Sequence, residues 1–199
     1  MTGAEVAGLR NPPSRPLGTK RPSTLAVGVM VWLASEQMFF AGLFASYFTI
    51  RATSATWPPP GVELDAIREG IFTVVLIVSS FTMQAADHDI AKEHRKTARK
   101  WIVTTLVLGT VFLANEVHEW LTIGFSPSTD AYGSLFFLLT GFHGLHVFIG
   151  LLLMIGVLGR IIGPGPDPGD APAVTSVTYY WHFVDVVWVA VYVTIFLIK

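Results

Sequence analysis

The chain has 199 residues, of which 52% are hydrophobic and 14% charged, and its mean hydropathy is +0.56. Soluble domains carry about a quarter charged residues, so this composition argues against an ordinary soluble domain. The 13 Lys and Arg residues nearly balance the 14 Asp and Glu residues, giving no indication of a nucleic-acid partner. The absence of cysteine excludes disulfides, thiolate metal sites, iron–sulfur clusters and cysteine nucleophiles.

The first segment, residues 1–24, is polar, rich in proline and basic residues, and contains no apolar run. Because a secretory signal peptide needs an apolar core, we predict a mostly unstructured cytoplasmic tail here rather than a signal peptide. A docking arm for a partner subunit is the alternative interpretation of this segment.

Long apolar runs follow the tail and predict one membrane domain over residues 25–199. A helix needs roughly 20 residues to cross a hydrocarbon core of about 30 Å. The runs are continuous rather than alternating, which favours helices over barrel strands. The predicted fold is therefore an all-α, polytopic membrane bundle of five transmembrane helices. The spans are expected at about residues 25–50, 66–87, 99–123, 132–159 and 177–198.

The basic residues indicate how the bundle is oriented. If the N-terminus is cytoplasmic, the tail and the inner loops hold ten Lys and Arg residues, whereas the outer segments hold three. Because positive residues concentrate on the cytoplasmic side, we predict an N-terminus inside and a C-terminus outside. No internal sequence repeat is visible, so an inverted-repeat transporter is not supported.

An ionisable residue deep within a span is costly and usually faces protein or water, and the sequence offers six candidates. They are Glu36, Glu116, His143, His146, His182 and Asp185. At ~1.5 Å per residue, Glu36 and His143 each lie roughly 16 Å from a membrane face and therefore at a similar depth. His146 and His182 match each other one turn nearer the cytoplasm. We therefore expect a polar seam shared by the first, fourth and fifth helices and formed by Glu36, His143, His146, His182 and Asp185.

Plainer interpretations of these residues remain open. Glu36 has either a titrating or lipid-related role, or serves packing alone as a protonated, hydrogen-bonded group. His182 and Asp185 lie at i, i+3 spacing on one helix face and most simply form a satisfied polar pair. Glu116, together with Glu119, lies near the outer end of its span, where solvation alone would explain it.

Haem, copper and zinc sites are not favoured by these residues. His143 and His146 share one face of one helix, whereas a haem needs ligands on opposite faces. Glu36 and the three histidines are neither at metal-ligand spacing nor clearly convergent. We therefore expect no haem, copper or zinc bound by this chain.

Several segments carry a resemblance to a known family. Residues 32–48 read WLASEQMFFAGLFASYF, residues 132–150 read YGSLFFLLTGFHGLHVFIG, and residues 179–188 read YYWHFVDVVW. A weaker match is LANEVHEW at residues 113–120. In this order they resemble subunit III of the haem–copper oxidases, most closely its cytochrome c oxidase branch, over about residues 25–199.

The chain departs from this family in its number of spans. Subunit III commonly has seven spans, and the resemblance begins at the family's third helix. The family's lipid cleft lies between the first two helices and the other five, so it cannot be carried over intact. A partner protein or lipids must then cover the face that the two helices leave exposed.

The resemblance implies a non-redox subunit of a bacterial plasma-membrane oxidase that reduces oxygen to water. It would flank catalytic subunit I and support assembly, stability and proton uptake, with haem and copper held by partner subunits. Glu36 matches the family's buried carboxylate, which implies a role in proton or lipid interactions. Expected partners are subunit I, the other oxidase subunits and membrane lipids; a bound phospholipid and a larger respiratory supercomplex are further candidates.

Three other functions are kept as alternatives. Subunit III of a quinol oxidase also has five spans, although Glu36 directly after Ser35 resembles the cytochrome c branch more closely. A relative associated with nitric oxide reductase is the second alternative. The third is an independent proton-coupled transporter that uses Glu36 as its relay; the missing repeats and the family resemblance both count against it.

Overall fold

The computed structural model describes residues 24–163, 165 and 167–198, so all of the expected tail (residues 1–24) except Thr24 lies outside the described residues. Long helices account for most of the described chain, and the last of them continues into a π-helical turn at Val193–Leu197. No strand occurs among the described residues. All five helices are long and apolar enough to cross a membrane, which confirms the predicted all-α, five-span fold. The helices are α1 Thr24–Thr53, α2 Ala66–Ala91, α3 Arg95–Thr122, α4 Ala131–Ile162 and α5 Asp170–Tyr192.

Three helices begin or end at least four residues from the expected bounds. Helix α3 begins at Arg95, within the charged loop, rather than at residue 99. Helix α2 continues through a charged stretch to Ala91, beyond the apolar run. Helix α5 begins at Asp170, although the Gly- and Pro-rich segment before Val177 was expected to be a loop. Its proline, Pro172, falls in the first turn, where a missing backbone N–H costs nothing. Asp170 at the N-terminus also places a negative charge where the helix dipole favours one.

Helix α5 lies at the centre of the arrangement. It packs against α1, α2 and α4, while α3 packs against α2 and α4 on the far side. The most buried helix is therefore α5 and the least buried is α1. Each helix runs antiparallel to the one before it. The Thr24 end of the bundle thus holds the α2–α3 turn and the α4–α5 connection, and the Thr53 end holds the other two connections.

Trp181 in α5 is, together with Trp188 of the same helix, one of the two largest fully buried side chains among the described residues. A Cβ atom placed on Gly109 of α3 would lie 2.8 Å from the Trp181 ring, and one on Gly150 of α4 would lie 2.7 Å from it. The two glycines therefore allow α3 and α4 to approach the indole closely. The indole Nε1 donates a hydrogen bond to Ser79 Oγ of α2 at 2.9 Å, which satisfies the only polar atom of the side chain.

Helix α1 is attached along a single narrow line. Its buried residues recur at every seventh position, whereas a typical core-facing helix buries three or four positions in each two turns. Most of the remaining surface of α1 is exposed on the outside of the bundle. The buried residues of α1 are Ala26, Leu33, Phe40 and Tyr47.

Charged side chains join the helices at the Thr24 end. Arg95 of α3 donates to the Asp170 carboxylate of α5 and, at 2.8 Å, to the Ile161 carbonyl oxygen of α4. Arg160 Nε of α4 donates to the other carboxylate oxygen of Asp170 at 3.1 Å. Asp170 is buried, so these two arginines compensate a charge that would otherwise be costly.

Candidate functional site within the helix bundle

Glu36 of α1 and His146 of α4 form a contact between the two helices. His146 Nε2 lies 3.2 Å from Glu36 Oε2, and Glu36 Oε1 accepts a hydrogen bond from Trp32 Nε1 at 2.9 Å. The Glu36 side chain is 24% exposed and that of His146 is 9% exposed. The carboxyl group can therefore be reached from the α1 surface, while the imidazole is enclosed.

The partners of His146 determine where a proton must lie. Its Nδ1 is 2.6 Å from the carbonyl oxygen of Phe142, which can only accept a hydrogen bond, so Nδ1 carries a hydrogen. A neutral ring then presents a lone pair at Nε2 towards Glu36. A hydrogen bond between Nε2 and the carboxyl group requires one proton between them, on either the carboxyl or the imidazole. The contact therefore joins a carboxyl group of α1 to an imidazole of α4 through one hydrogen bond.

Aromatic rings surround this pair and fix its position. The ring of Trp32 stacks on that of Tyr180 with centroids 5.3 Å apart, and Phe40 meets the His146 ring edge-on at 5.2 Å. The Tyr180 hydroxyl donates to the backbone oxygen of His146 at 2.9 Å. The side chains of α1, α4 and α5 thus hold the Glu36–His146 contact from three sides.

His182 and Asp185 of α5 face α2 instead. His182 Nδ1 lies 2.9 Å from Ser80 Oγ, and its Nε2 lies 3.0 Å from Gln84 Oε1. Ser80 Oγ also donates to Asp185 Oδ2. The two α5 residues are therefore linked through Ser80. The second carboxylate oxygen of Asp185 is buried and has no hydrogen-bond partner among the described residues.

The polar seam expected from helix depths is divided in the structure. Within the part of the chain that is described, no hydrogen bond or ion pair joins the Glu36–His146 pair to His182 or Asp185. One group lies between α1 and α4, and the other lies between α5 and α2. The division arises because α5 is surrounded by three helices, so different positions on its surface face different neighbours.

His143 does not contact Glu36, although its estimated depth matched. It is fully buried one turn from His146, and its ring lies 4.7 Å from that of Trp188 and 5.8 Å from that of Phe112. Neither ring nitrogen has a hydrogen-bond partner among the described residues. His143 thus packs as an aromatic ring in the core between α3, α4 and α5.

Glu116 and Glu119 are not solvated, which corrects the plainer interpretation of the sequence. Glu116 is 3% exposed and Glu119 is 8% exposed, because this face of α3 is turned towards α2 and α4. Glu116 Oε2 would lie 3.1 Å from a Cβ atom on Gly144, so its carboxyl group packs against α4. Both of its carboxyl oxygens lack a hydrogen-bond partner within the described residues.

A further polar network between α2 and α3 was missed at the sequence level. Arg68 Nε donates to Asn115 Oδ1 at 2.9 Å, and Arg68 Nη1 donates to Glu119 Oε2 at 3.0 Å. Asn115 Nδ2 donates to Glu69 Oε1 at 2.8 Å. The i, i+4 spacing of Asn115 and Glu119 places both on one face of α3, and this spacing is a sequence signal for a polar face of α3, although it does not indicate the partners on α2.

Comparisons with known proteins decide the family. The family model described as cytochrome c oxidase subunit III matches residues 19–199. The chain belongs to the cytochrome c oxidase subunit III family. A probable cytochrome c oxidase subunit 3 from Mycobacterium leprae is 43% identical over 189 residues, which cover 94% of each chain. A cytochrome c oxidase subunit 3 from Thermostichus vulcanus is 39% identical over 180 residues, covering 90% of each.

These findings confirm the resemblance and the location inferred from the sequence. A family member with five apolar helices and bacterial relatives is a multi-pass protein of the plasma membrane and part of an oxidase complex. A third relative, from Synechocystis, is 36% identical, and the match covers 89% of this chain but 77% of that relative. Among the described residues, no three His, Asp or Glu side chains converge as a metal site would require.

Proposed function

We propose that this chain is the non-redox subunit III of a bacterial respiratory cytochrome c oxidase. In this role it supports assembly, stability and proton uptake of catalytic subunit I during the reduction of oxygen to water. Haem and copper would be held by partner subunits, and lipids or a larger respiratory supercomplex would contact the exposed helices. The excess of basic residues at the Thr24 end supports a cytoplasmic position for that end.

The observation that carries the proton-related part of this proposal is the Glu36–His146 contact of 3.2 Å. A carboxyl group and an imidazole that share one proton can accept and release it with little rearrangement. Glu36 is partly exposed on the α1 surface, so a proton can reach the pair from a neighbouring subunit or from water at its boundary. Trp32 holds Glu36 and the Phe142 carbonyl oxygen holds His146, each by one hydrogen bond. The proton between Glu36 and His146 is then the part of the site that can change.

The other buried polar residues support the packing part of the proposal. His182, Asp185 and Ser80 connect α5 to α2 at a depth where lipid offers no hydrogen bonds. His143 fills the centre of the bundle as a ring, and His146 connects α4 to α1. These contacts hold the helices in the arrangement that an oxidase partner would meet.

A Glu36→Gln variant of the complete oxidase tests this function. The amide keeps an acceptor for Trp32 and can donate to His146 Nε2, but it cannot hold the shared proton as an acid. We expect normal subunit and haem content, slower proton uptake, and faster loss of activity during turnover. Oxygen consumption with reduced cytochrome c, measured across pH together with proton uptake in vesicles, provides the readout.

Ser46→Ala is a matched control, because Ser46 is exposed on the same helix and its hydroxyl donates to the Gly42 carbonyl oxygen of its own turn. It should behave as the unchanged oxidase. Identical uptake and turnover lifetime in the Glu36→Gln and Ser46→Ala oxidases would remove Glu36 from the proposal. Oxidation of quinol without oxidation of cytochrome c would instead move the complex to the quinol branch.

A further inference from the structure

Two polar side chains in the centre of the bundle are buried without hydrogen-bond partners. Glu116 of α3 is 3% exposed, and His143 of α4 is fully buried. Both carboxyl oxygens of Glu116 and both ring nitrogens of His143 lack a partner within residues 24–163, 165 and 167–198. Because buried polar groups in proteins are nearly always hydrogen-bonded, these four atoms require an explanation.

The backbone places the two side chains next to each other where α3 meets α4. A Cβ atom on Gly144 would lie 3.1 Å from Glu116 Oε2, and Gly144 directly follows His143 in α4. The His143 ring meets the Phe112 ring edge-on with centroids 5.8 Å apart, and Phe112 precedes Glu116 by four positions on the same face of α3. The Glu116 carboxyl group and the His143 imidazole therefore occupy neighbouring positions in the contact between the two helices.

The hydrogen bonds of the nearby carboxyl groups indicate which of them holds a proton. Glu69 of α2 and Glu119 of α3 are also buried. Glu69 Oε1 accepts a hydrogen bond from Asn115, and Glu119 Oε2 accepts one from the Arg68 guanidinium. Glu116 accepts none from any described residue. A buried, ionised carboxylate without a donor or a cation is far more costly than a neutral carboxylic acid, which favours a proton on Glu116.

The ionisable groups of the other neighbouring helices bond elsewhere. His146, one turn from His143 on α4, bonds Glu36 of α1. Helix α5 meets the His143 ring with the indole of Trp188, and its Asp185 is turned towards α2, where it accepts from Ser80. Within the described part of the chain, Glu116 and His143 are therefore left to satisfy each other.

A protonated carboxyl group and a neutral imidazole have matching hydrogen-bonding needs. The acid offers one O–H donor and a carbonyl acceptor, and the imidazole offers one N–H donor and one nitrogen acceptor. No direct hydrogen bond joins Glu116 to His143 among the described residues. A water molecule both donates and accepts, and buried waters typically make about three hydrogen bonds to polar groups that are otherwise unpaired. One internal water can therefore bond both side chains at once.

We propose that Glu116 and His143 form an internal water-binding site between α3 and α4, in which Glu116 carries a proton and a bound water molecule joins the two side chains. The site is separate from the Glu36–His146 pair, because His143 is turned towards α3 and α5 whereas His146 bonds α1. It adds a second proton-holding group to the bundle, and it does not depend on the proposed function.

Infrared spectroscopy of the purified complete oxidase tests for the proton. A protonated carboxyl group gives a carbonyl stretching band above the frequencies of amides and ionised carboxylates. We expect Glu116→Gln to remove one such band. Glu63→Gln is the matched control, because Glu63 is exposed to solvent, and Glu36→Gln separates this site from the other pair; both should keep the band. Retention of every carboxylic acid band in Glu116→Gln overturns the proposal.

A change on α4 tests whether Glu116 and His143 are joined. His143→Phe keeps a ring in the core but removes both nitrogens, so the bridging water loses one of its two anchors. We expect the Glu116 carbonyl band to move to a higher frequency, because its hydrogen bonding becomes weaker. An unchanged frequency in this variant contradicts a site shared by the two residues.

Two glycines of α4 provide a matched pair of gentler changes. In Gly144→Ala the added methyl group would lie 3.1 Å from Glu116 Oε2 and 2.9 Å from the Trp120 ring, so it must displace the carboxyl group. In Gly141→Ala the methyl group meets no atom within 4 Å. We expect Gly144→Ala to shift the Glu116 band and Gly141→Ala to leave it in place. Equal spectra in the two variants count against the site.

Electron cryo-microscopy of the unsubstituted oxidase, at a resolution that shows ordered water, tests the site without any variant. We expect density within hydrogen-bonding distance of both the Glu116 carboxyl group and a His143 nitrogen. A direct contact between the two side chains, or no density between them, overturns the proposal. None of these readouts needs turnover, so an inactive complex would count against the proposed function alone. An active oxidase without the Glu116 band would count against the site alone.

Discussion

Helices α5 and α1 differ most in how they are held in the bundle. Helix α5 is enclosed by three neighbours, and its buried indoles donate hydrogen bonds to α2 through Ser79 and Thr73. Helix α1 buries one residue in every seven and leaves large side chains such as Met38 exposed. The difference teaches that the centre of the bundle holds the fold, while the partly exposed carboxyl group of Glu36 is carried by the helix that contributes least to it.

This contrast matters more in a membrane than in water. Lipid chains are as apolar as leucine, so apolar burial gives no drive for helix association, and close packing and hydrogen bonds decide it. The contacts of helix α1 include the Glu36–His146 pair and the stacking of Trp32 on Tyr180. At its far end, the Tyr47 hydroxyl donates to the Thr194 carbonyl oxygen, and Arg51 donates to the Ile198 carbonyl oxygen. We therefore expect substitutions in α5 to affect the whole bundle and those in α1 to remain local.

The largest effect is expected for Trp181→Ala. The substitution empties the space between Gly109 and Gly150 and removes the donor to Ser79. Loss of such a buried ring costs about 3–5 kcal/mol of unfolding free energy. Thermal unfolding of the purified chain in detergent should show a single transition at a much lower temperature. Trp101→Ala, at a site 37% exposed, is the control, and an equal loss in both variants would contradict the central role of α5.

A smaller and more local effect is expected for Phe40→Ala, at the middle of the buried line of α1. Phe40 is 2% exposed and packs against His146 and Phe183. We expect a loss of about 2–3 kcal/mol, below the usual range for phenylalanine, because lipid can fill part of the space. Limited proteolysis should show α1 released while the remaining helices stay protected.

The control for this change is Met38→Ala, because Met38 is 78% exposed on the same helix. Its effect should stay within about 0.5 kcal/mol. Loss of protection across all five helices in Phe40→Ala would show that α1 is part of the central unit, and the contrast drawn above would then be wrong.

The smallest effect is expected for Trp32→Phe. The ring can still stack on Tyr180, but the donor to Glu36 Oε1 is lost. One such hydrogen bond contributes about 1 kcal/mol. Thermal unfolding should change slightly, and under the proposed function proton uptake by the oxidase should slow more, because the Glu36 carboxyl group loses the donor that fixes its position. Ser35→Ala, which removes only a hydroxyl bonded to the Trp32 carbonyl oxygen, should change neither.

The sequence predicts the number of helices well and their rotation poorly. The length of an apolar run indicates a span directly, so α1 and α4 begin and end close to the expected residues. The rotation of a helix about its axis can be predicted only when the helix has one polar and one apolar face, and these helices are apolar almost all round. Depth alone therefore paired Glu36 with His143, whereas the structure places His146 against it, one turn away.

The sequence also does not predict which side chains on distant segments are hydrogen-bond partners. Glu69 lies at the edge of an apolar run, and its partner Asn115 is on another helix, so neither residue indicates the other in the sequence. Ser80 is an ordinary small residue within a span, yet it connects His182 and Asp185. The sequence therefore identified ionisable groups by their cost in lipid, but it did not identify the neutral side chains that bond them.

The buried position of the Trp181 indole limits the size of the side chains at three positions of the chain. The ring occupies the volume that side chains at 109 and 150 would otherwise take, so a methyl group added at either position must displace the ring. Gly156, on the same helix as Gly150, faces open space and is under no such limit. The side-chain volumes at positions 109, 150 and 181 are therefore coupled. A larger residue at 109 on α3 or at 150 on α4 requires a smaller residue at 181 on α5.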